Sequence, residues 1–378
     1  MADRPDGVAC GLGVSGRRWQ RLSPILPACF LVVLGAVGLQ AARAQDQEAA
    51  APPANPLDPV RELVALSSDN LEVIDGWIAA RINELKNATG PEVTAAGTAF
   101  HQAFARERQN PANSAEFGRR FAARAGAAFA TEFGLAEPLS KEAAWPLARV
   151  LLDLDSFDTL DAVNAGLAHP VQAVRYLCAK TCSGLRNRIS TDLNLTRSMI
   201  TLLKDAAVKE PNAVVLSALY GAMGYTEHTE ESARAMAEVF AARVQKRQTG
   251  QIKVADRAEL AAWEFLHQAR ARIPDPEKAL LARELAGFLT LDVDRYAVAK
   301  GDEQLTIEER IEVGEDLLER LVGRGGGGNV RKAMKAGGTS VDLDMKLELV
   351  NWVGAEGAEG ALNKSPWNVP VGGLPAEQ

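Results

Sequence analysis

Cys178 and Cys182 stand four residues apart in a helix-forming stretch, a spacing that sets two thiols on one helix face and invites a metal or redox reading. One helix face supplies only two of the four ligands of a structural zinc site, and no Cys or His follows at finger-like spacing. A disulfide across one helical turn would strain the helix. The pair therefore reads as two small apolar residues bound for a core. None of the four histidines, His101, His169, His228 and His267, has a zinc-type partner at helical spacing. His169, beside Pro170 at a turn, reads as a capping or solvated residue rather than an acid–base catalyst. Asp153 with Asp155, and Asp158 with Asp161, could in principle bind calcium or act as acid and base. They lack the glycine and terminal glutamate of an EF-hand loop and read as solvated helix ends. The run Gly325 to Gly328 leads into Asn329-Val330-Arg331, where a phosphate cradle needs Lys and then Ser or Thr. No Gly-x-Ser-x-Gly elbow occurs. Asn87-Ala88-Thr89 and Asn194-Leu195-Thr196 fit glycosylation acceptors, which matter only in a secretory host. No catalytic residue, metal site or cofactor is predicted.

The elements that must position any site are helices. Hydrophobic residues make up 47% of the chain but aromatics only 6%, and Ala and Leu dominate most segments, a balance that favours close-packed helices over sheets. The first 44 residues read as a targeting segment: Arg17, Arg18 and Arg21 form a basic start, Ile25 to Leu39 is mostly apolar, and Ala42-Arg43-Ala44 offers a cleavage point before Gln45. The apolar run is short and interrupted by Pro27, which suits a signal peptide better than a spanning helix; an uncleaved membrane anchor is the alternative. A twin-arginine signal or a lipoprotein box around Cys29 fits less well, since Trp19-Gln20 follows the arginine pair and Cys29 precedes the most apolar stretch. Cleavage would remove Cys10, Cys29, five Arg and two Asp, leaving 37 basic against 47 acidic residues, a net charge of −10. A phosphate backbone would be repelled by that average field, so nucleic acid is excluded as a partner unless a local basic patch exists, and the sequence offers none.

Residues 45–59, rich in Ala, Pro and Gln, are expected to form a flexible leader. A helical region over 60–140 follows, with Phe100, Phe104, Phe117, Phe121 and Phe129 as bulky core candidates and breaks near Asn87 to Pro91 and at Asn110-Pro111. From Trp145 the pattern becomes repetitive. A helical segment from Phe157 to Leu167 stops at His169-Pro170, the stretch Val171 to Leu185 opens another helix, and 41 residues later the arrangement recurs. Placing Pro170 on Pro211 sets Val174 on Val215, Cys178 on Leu219, Thr181 on Ala222 and Cys182 on Met223. The cysteines thus fall where the second copy carries core residues.

A period of about forty residues with two helices per unit is expected of HEAT or armadillo arrays. The segment resembles the HEAT family directly: Pro170 opens the second helix, Val174-Arg175 matches the family's Val-Arg pair, and Cys178, Ala179, Cys182 and Leu185 fill its small or apolar positions. The resemblance is clearest over 144–226. Leu216 stands where the first copy has Arg175, which departs from a regular polar ladder. What the resemblance implies is an all-α fold of stacked antiparallel helix pairs, an α-solenoid or irregular HEAT-like superhelix, over 144–322.

Later helices have their own start signals: Thr229 before Glu230-Glu231, Asp275 before Pro276-Glu277, and the capping-box pattern Thr306 to Glu309. A Gly-rich loop is expected over 323–340. Val341 to Val353 alternates like a strand but is built of helix formers, and helix is favoured; a Gly- and Pro-rich tail with Trp367 follows to residue 378. The functional expectation is an exported scaffold, periplasmic or extracellular, that binds another protein through Gln172, Arg175, Tyr176 and Lys180 on an inner helix. The alternatives are an envelope hydrolase on a helical scaffold and a membrane-anchored component of the envelope.

Overall fold

The computed structural model describes residues 55–252, 256–323 and 327–374, so the targeting segment and most of the leader lie outside the described residues. Fifteen α-helices and no β-strand occur among them. They are α1 (Asp58–Arg61), α2 (Ser68–Asn87), α3 (Glu92–Gln109), α4 (Ala115–Phe133), α5 (Lys141–Leu154), α6 (Leu160–Leu167), α7 (Gln172–Ile189) and α8 (Leu193–Lys209). There follow α9 (Ala213–Met223), α10 (Thr229–Gln248), α11 (Ala258–Ala269), α12 (Asp275–Tyr296), α13 (Asp302–Val322), α14 (Val330–Ala336) and α15 (Val341–Val353).

From α2 to α11 most helices pack more on the helix after next than on their sequence neighbour, and this sorts the chain into two rows; α6 with α7, α12 with α13 and α14 with α15 are exceptions. In one row α3 lies on α5, α5 on α7, α7 on α9, α9 on α11 and α11 on α13. In the other α2 lies on α4, α4 on α6, α8 on α10, α10 on α12 and α12 on α15. Contacts between the rows, strongest at α6 with α7, α8 with α9 and α12 with α13, close the helix pairs. The second row has one interruption, because the eight-residue α6 makes little contact with α8.

The repeat register holds at the level of burial. Val174 and Val215, Cys178 and Leu219, Thr181 and Ala222, and Cys182 and Met223 are all buried, on two helices that pack against each other. The cysteines are free thiols. At Gly166, where α6 crosses α7, a β-carbon would collide with Cys178 Sγ, so the absence of a side chain sets the approach of the pair. Ahead of them, Phe100, Phe104, Phe117, Phe121 and Phe129 are all buried and form, with Trp77, a chain of tilted, edge-on and stacked ring contacts 4.7–6.1 Å apart.

Side-chain caps mark six of the helix starts: Ser67, Ser114, Ser140, Asp192, Asn212 and Asn329 each accept a backbone N–H from the first turn. Three expected starts are corrected. Thr229 is the first residue of α10 rather than its cap, its hydroxyl donating back to Thr226 O. Asp275 lies inside α12 and takes Lys278 Nζ at 2.9 Å instead of capping the backbone. Thr306 is interior to α13, which begins four residues earlier because Gly301, at φ 59°, turns the chain in a conformation other residues rarely adopt. The leader also becomes ordered sooner than expected: Leu57 is fully buried, and Asn55 Nδ2 donates to Glu107 Oε1. The segment expected as a loop over 323–340 contains α14. Its first backbone N–H groups are received by Glu315, a buried carboxylate on α13 that also accepts Trp352 Nε1 at 2.9 Å. The ambiguous segment from Val341 is helical, and Trp367 packs on the core.

Candidate interaction groove

The helices α7, α9 and α11 are flanked by their row neighbours and backed by the other row, so each shows solvent only a narrow strip. Between the three strips runs an open groove of about 540 Å³. Tyr176, Lys180 and Arg186 of α7 form one wall, Val214, Ser217 and Gly221 of α9 the floor, and Arg257 with Ala258 the far end. Lys180 Nζ lies 5.9 Å from the centre of the Tyr176 ring, and Arg186 donates to Gly221 O at 2.8 Å. Val214 is 59% exposed, which is unusual for a valine on a packed helix of an array this well buried. One helix along the row, α5 repeats the aromatic-cation device: the Arg149 guanidinium sits 5.4 Å from the Trp145 ring, one turn away, and Trp145 is itself exposed.

Of the four residues singled out from the sequence, Tyr176 and Lys180 come together in this groove, while Gln172 is exposed at the first turn of α7 outside it. Arg175 is committed elsewhere. Its Nε and NH2 donate to the two oxygens of Glu210 at 2.7 and 2.9 Å, and NH1 donates to His169 O and Pro170 O. Glu210 is only 3% exposed, so Arg175 joins the α6–α7 turn to the α8–α9 turn across the interruption in the second row. That hydrogen bonding raises the Arg175 pKa further above its ordinary value. A cavity of about 500 Å³ opens there, lined by His169, Arg175, Asp205 and Glu210 among others. His169 is buried rather than solvated: Nδ1 accepts Val171 N–H at 3.2 Å and the ring edge meets Phe133. Burial, helped by the Arg175 charge, holds the imidazole pKa below its usual value and the ring neutral.

The remaining titratable residues serve the fold. Asp153 is no free helix end but pairs with His101 Nε2 between α5 and α3. His228 Nε2 donates to Ser190 O, and His267 lies 3.4 Å from Asp316. The densest charge cluster is buried between α10, α11, α12 and α13. There Arg310 reaches Glu259 at 2.5 Å and Asp292 at 3.0 Å, Arg243 reaches Glu259 and Asp256, and Arg247 reaches Asp292. Burial pushes the Glu259 pKa up, but Arg310 and Arg243 outweigh it and hold the carboxyl at about 2. With Arg310 and Glu259 at 1% exposure, no substrate can reach these groups, and their balanced charges lock four helices together. Among the described residues no group of three or more His, Cys, Asp or Glu is arranged to hold a metal ion, and no helix is long and apolar enough to cross a membrane.

Sequence reasoning missed Arg186, Val214 and the Trp145–Arg149 pair. The shared aromatic-x-x-x-cation spacing of Trp145–Arg149 and Tyr176–Lys180 was the available signal. Comparison of the chain with protein-family models, curated proteins and solved structures finds no match.

Proposed function

We propose that this protein is an exported HEAT-like repeat scaffold, periplasmic or extracellular once residues 1–44 are removed, and that it recognises another protein through the face formed by α5, α7, α9 and α11. The 41-residue offset of Pro170 and Pro211, matched by the burial of α7 and α9, supports the HEAT-like reading. The observation that carries the functional reading is the groove itself: the helices bury most of their apolar side chains, yet the strip of one row leaves Val214 and Trp145 exposed and Tyr176 half-buried, with Arg149 and Lys180 over the two rings. Exposed apolar surface rimmed by polar groups marks an interaction site. Glu259 and Asp292 of the buried Arg310 cluster are ion-paired and His169 is buried and held neutral, which favours the binding reading over a hydrolase.

The test is site-specific photocrosslinking in the native envelope. A crosslinker in place of Val214 is expected to capture one defined partner, and one in place of the exposed Asn194 on the other row is expected to capture none. Equal capture at both positions, or none at Val214, would overturn the proposal.

A further inference from the structure

Resting on that reading of the face, we propose that the groove between α7, α9 and α11 takes an extended acidic peptide segment, with carboxylates set on Lys180 and Arg186 and an apolar side chain over Val214. The ionisable lining residues of the groove are Tyr176 and three cations, Lys180, Arg186 and Arg257, with no carboxylate among them; Arg257, at the far end, pairs with Glu309 outside the lining at 2.7 Å. Such a concentration is notable in a chain whose formal net charge is −7. Most cations elsewhere are already paired within 4 Å of a carboxylate, as Arg197 is with Glu231 and Lys204 with Glu238. Lys180 and Arg186 have no carboxylate at ion-pair distance, and neither has Arg149 on the adjoining strip. Arg186 spends one N–H on Gly221 O and influences Glu227 only at longer range, which leaves donors for an incoming anion. A carboxylate arriving at Lys180 and Arg186 displaces no carboxylate partner among the described residues.

The neighbouring groove between α11 and α13 has the opposite character. Glu264, Glu309, Glu312 and Asp316 line it together with His267 and Arg331. An acidic segment is therefore repelled beyond α11 and confined to the α7–α9 stretch, which sets its position along the array. An extended chain suits the site better than a helix, since the groove is shallow and open and offers the Ser217 hydroxyl and two cations in a line rather than a deep apolar trough.

The probes are three fluorescent peptides of one apolar pattern that carry Glu, Gln or Lys at every polar position, measured by anisotropy against the purified protein. The Glu peptide is expected to bind, to weaken as salt rises, and to bind about tenfold less tightly to Lys180→Glu, the cost of turning one exposed attraction into a repulsion. The double variant Lys180→Glu/Arg186→Glu is expected to prefer the Lys peptide. Lys180 is exposed on α7, so the single variant keeps the test open if the double variant loses its helical spectrum. Binding of the Lys peptide to the unaltered protein as tightly as the Glu peptide, no binding of the Glu peptide, or an unchanged affinity in Lys180→Glu would each overturn the proposal. A partner captured at Val214 through a segment without acidic residues would sink this inference while leaving the scaffold standing; an absence of capture there would sink both.

Discussion

Arg175→Leu replaces the first copy's residue by the one the second copy carries at the same register, Leu216, which is fully buried in its own unit. The substitution removes both hydrogen bonds to Glu210 and the two to the His169 and Pro170 carbonyls. Glu210, 3% exposed, keeps only the Asn212 N–H at 2.9 Å. Breaking a buried pair and leaving one charge without its partner costs about 3–5 kcal/mol. Arg175 is 15% exposed and borders an open cavity, so water can reach the stranded carboxylate and the lower end, about 3 kcal/mol, is expected. An array can open in pieces, so the assay combines urea unfolding by circular dichroism with hydrogen exchange read peptide by peptide. Protection is expected to fall first in α6 to α9. Adding Glu210→Leu removes the stranded charge, and the double variant is expected to recover at least about 1.5 kcal/mol relative to the sum of the single losses. A loss below about 0.5 kcal/mol in Arg175→Leu, or strict additivity in the double variant, would refute the view that this pair ties the two turns together. A binding defect of Arg175→Glu would accordingly report on the array and not on a contact surface.

Three further outcomes are expected. Arg310→Met leaves Glu259 and Asp292 buried without their shared partner and should cost about 3–5 kcal/mol, seen as a lowered urea midpoint; an unchanged midpoint would make the cluster peripheral to stability. Burial raises the Glu284 pKa from 4.5 to about 7, so its contribution to stability is full below pH 4.5 and is lost as the pH rises to about 7; Glu284→Gln, at a side chain 11% exposed, should therefore stabilise by about 3 kcal/mol at pH 8 and hardly at pH 4, and an equal effect at both would exclude that titration. Burial pushes the Cys178 thiol far up, with a further push from Cys182, and Cys182 up to about 12, so neither should react with a thiol reagent at pH 8 until urea is added; prompt labelling of the folded protein would contradict their burial.

The helices were legible because they are written in apolar spacing, and their packed pairs are compatible with the repeat. The two copies at Pro170 and Pro211 align core residue on core residue, and burial follows that alignment. Helix starts were less legible where a local signal competed with a stronger one upstream: Thr306 carries a capping pattern, but the positive φ of Gly301 had already turned the chain. The site was half legible. Tyr176 and Lys180 face solvent because they lie opposite Cys178 and Cys182 on α7, an inference periodicity allows. That Arg175 points instead at Glu210 depends on how far α8 stands from α6, and no pattern within one helix encodes that distance.

Many of the ion pairs follow a pattern that the apolar spacing does not express. Arg124 pairs with Asp75 between α2 and α4, Arg197 with Glu231 and Lys204 with Glu238 between α8 and α10, and Arg247 with Asp292 between α10 and α12. These pairs run along a row, from one helix to the next, whereas Arg243–Glu259 and Arg310–Asp292 tie the two rows together. Exposed members such as Arg197–Glu231 contribute under about 1 kcal/mol each and cannot be what holds the array together. Their effect is on register. Apolar faces made of Leu, Ala and Val resist a slip of one helical turn only through packing fit, at about 1–3 kcal/mol where side chains overpack. A slip that moved Glu210 from Arg175 or Asp292 from Arg247 would strand a carboxylate 3% or 1% exposed, at a cost far above that of a repacked methyl group. Such buried pairs thus fix how one helix sits on the next, and Arg149, Lys180 and Arg186 are among the cations that this scheme leaves free to meet a partner.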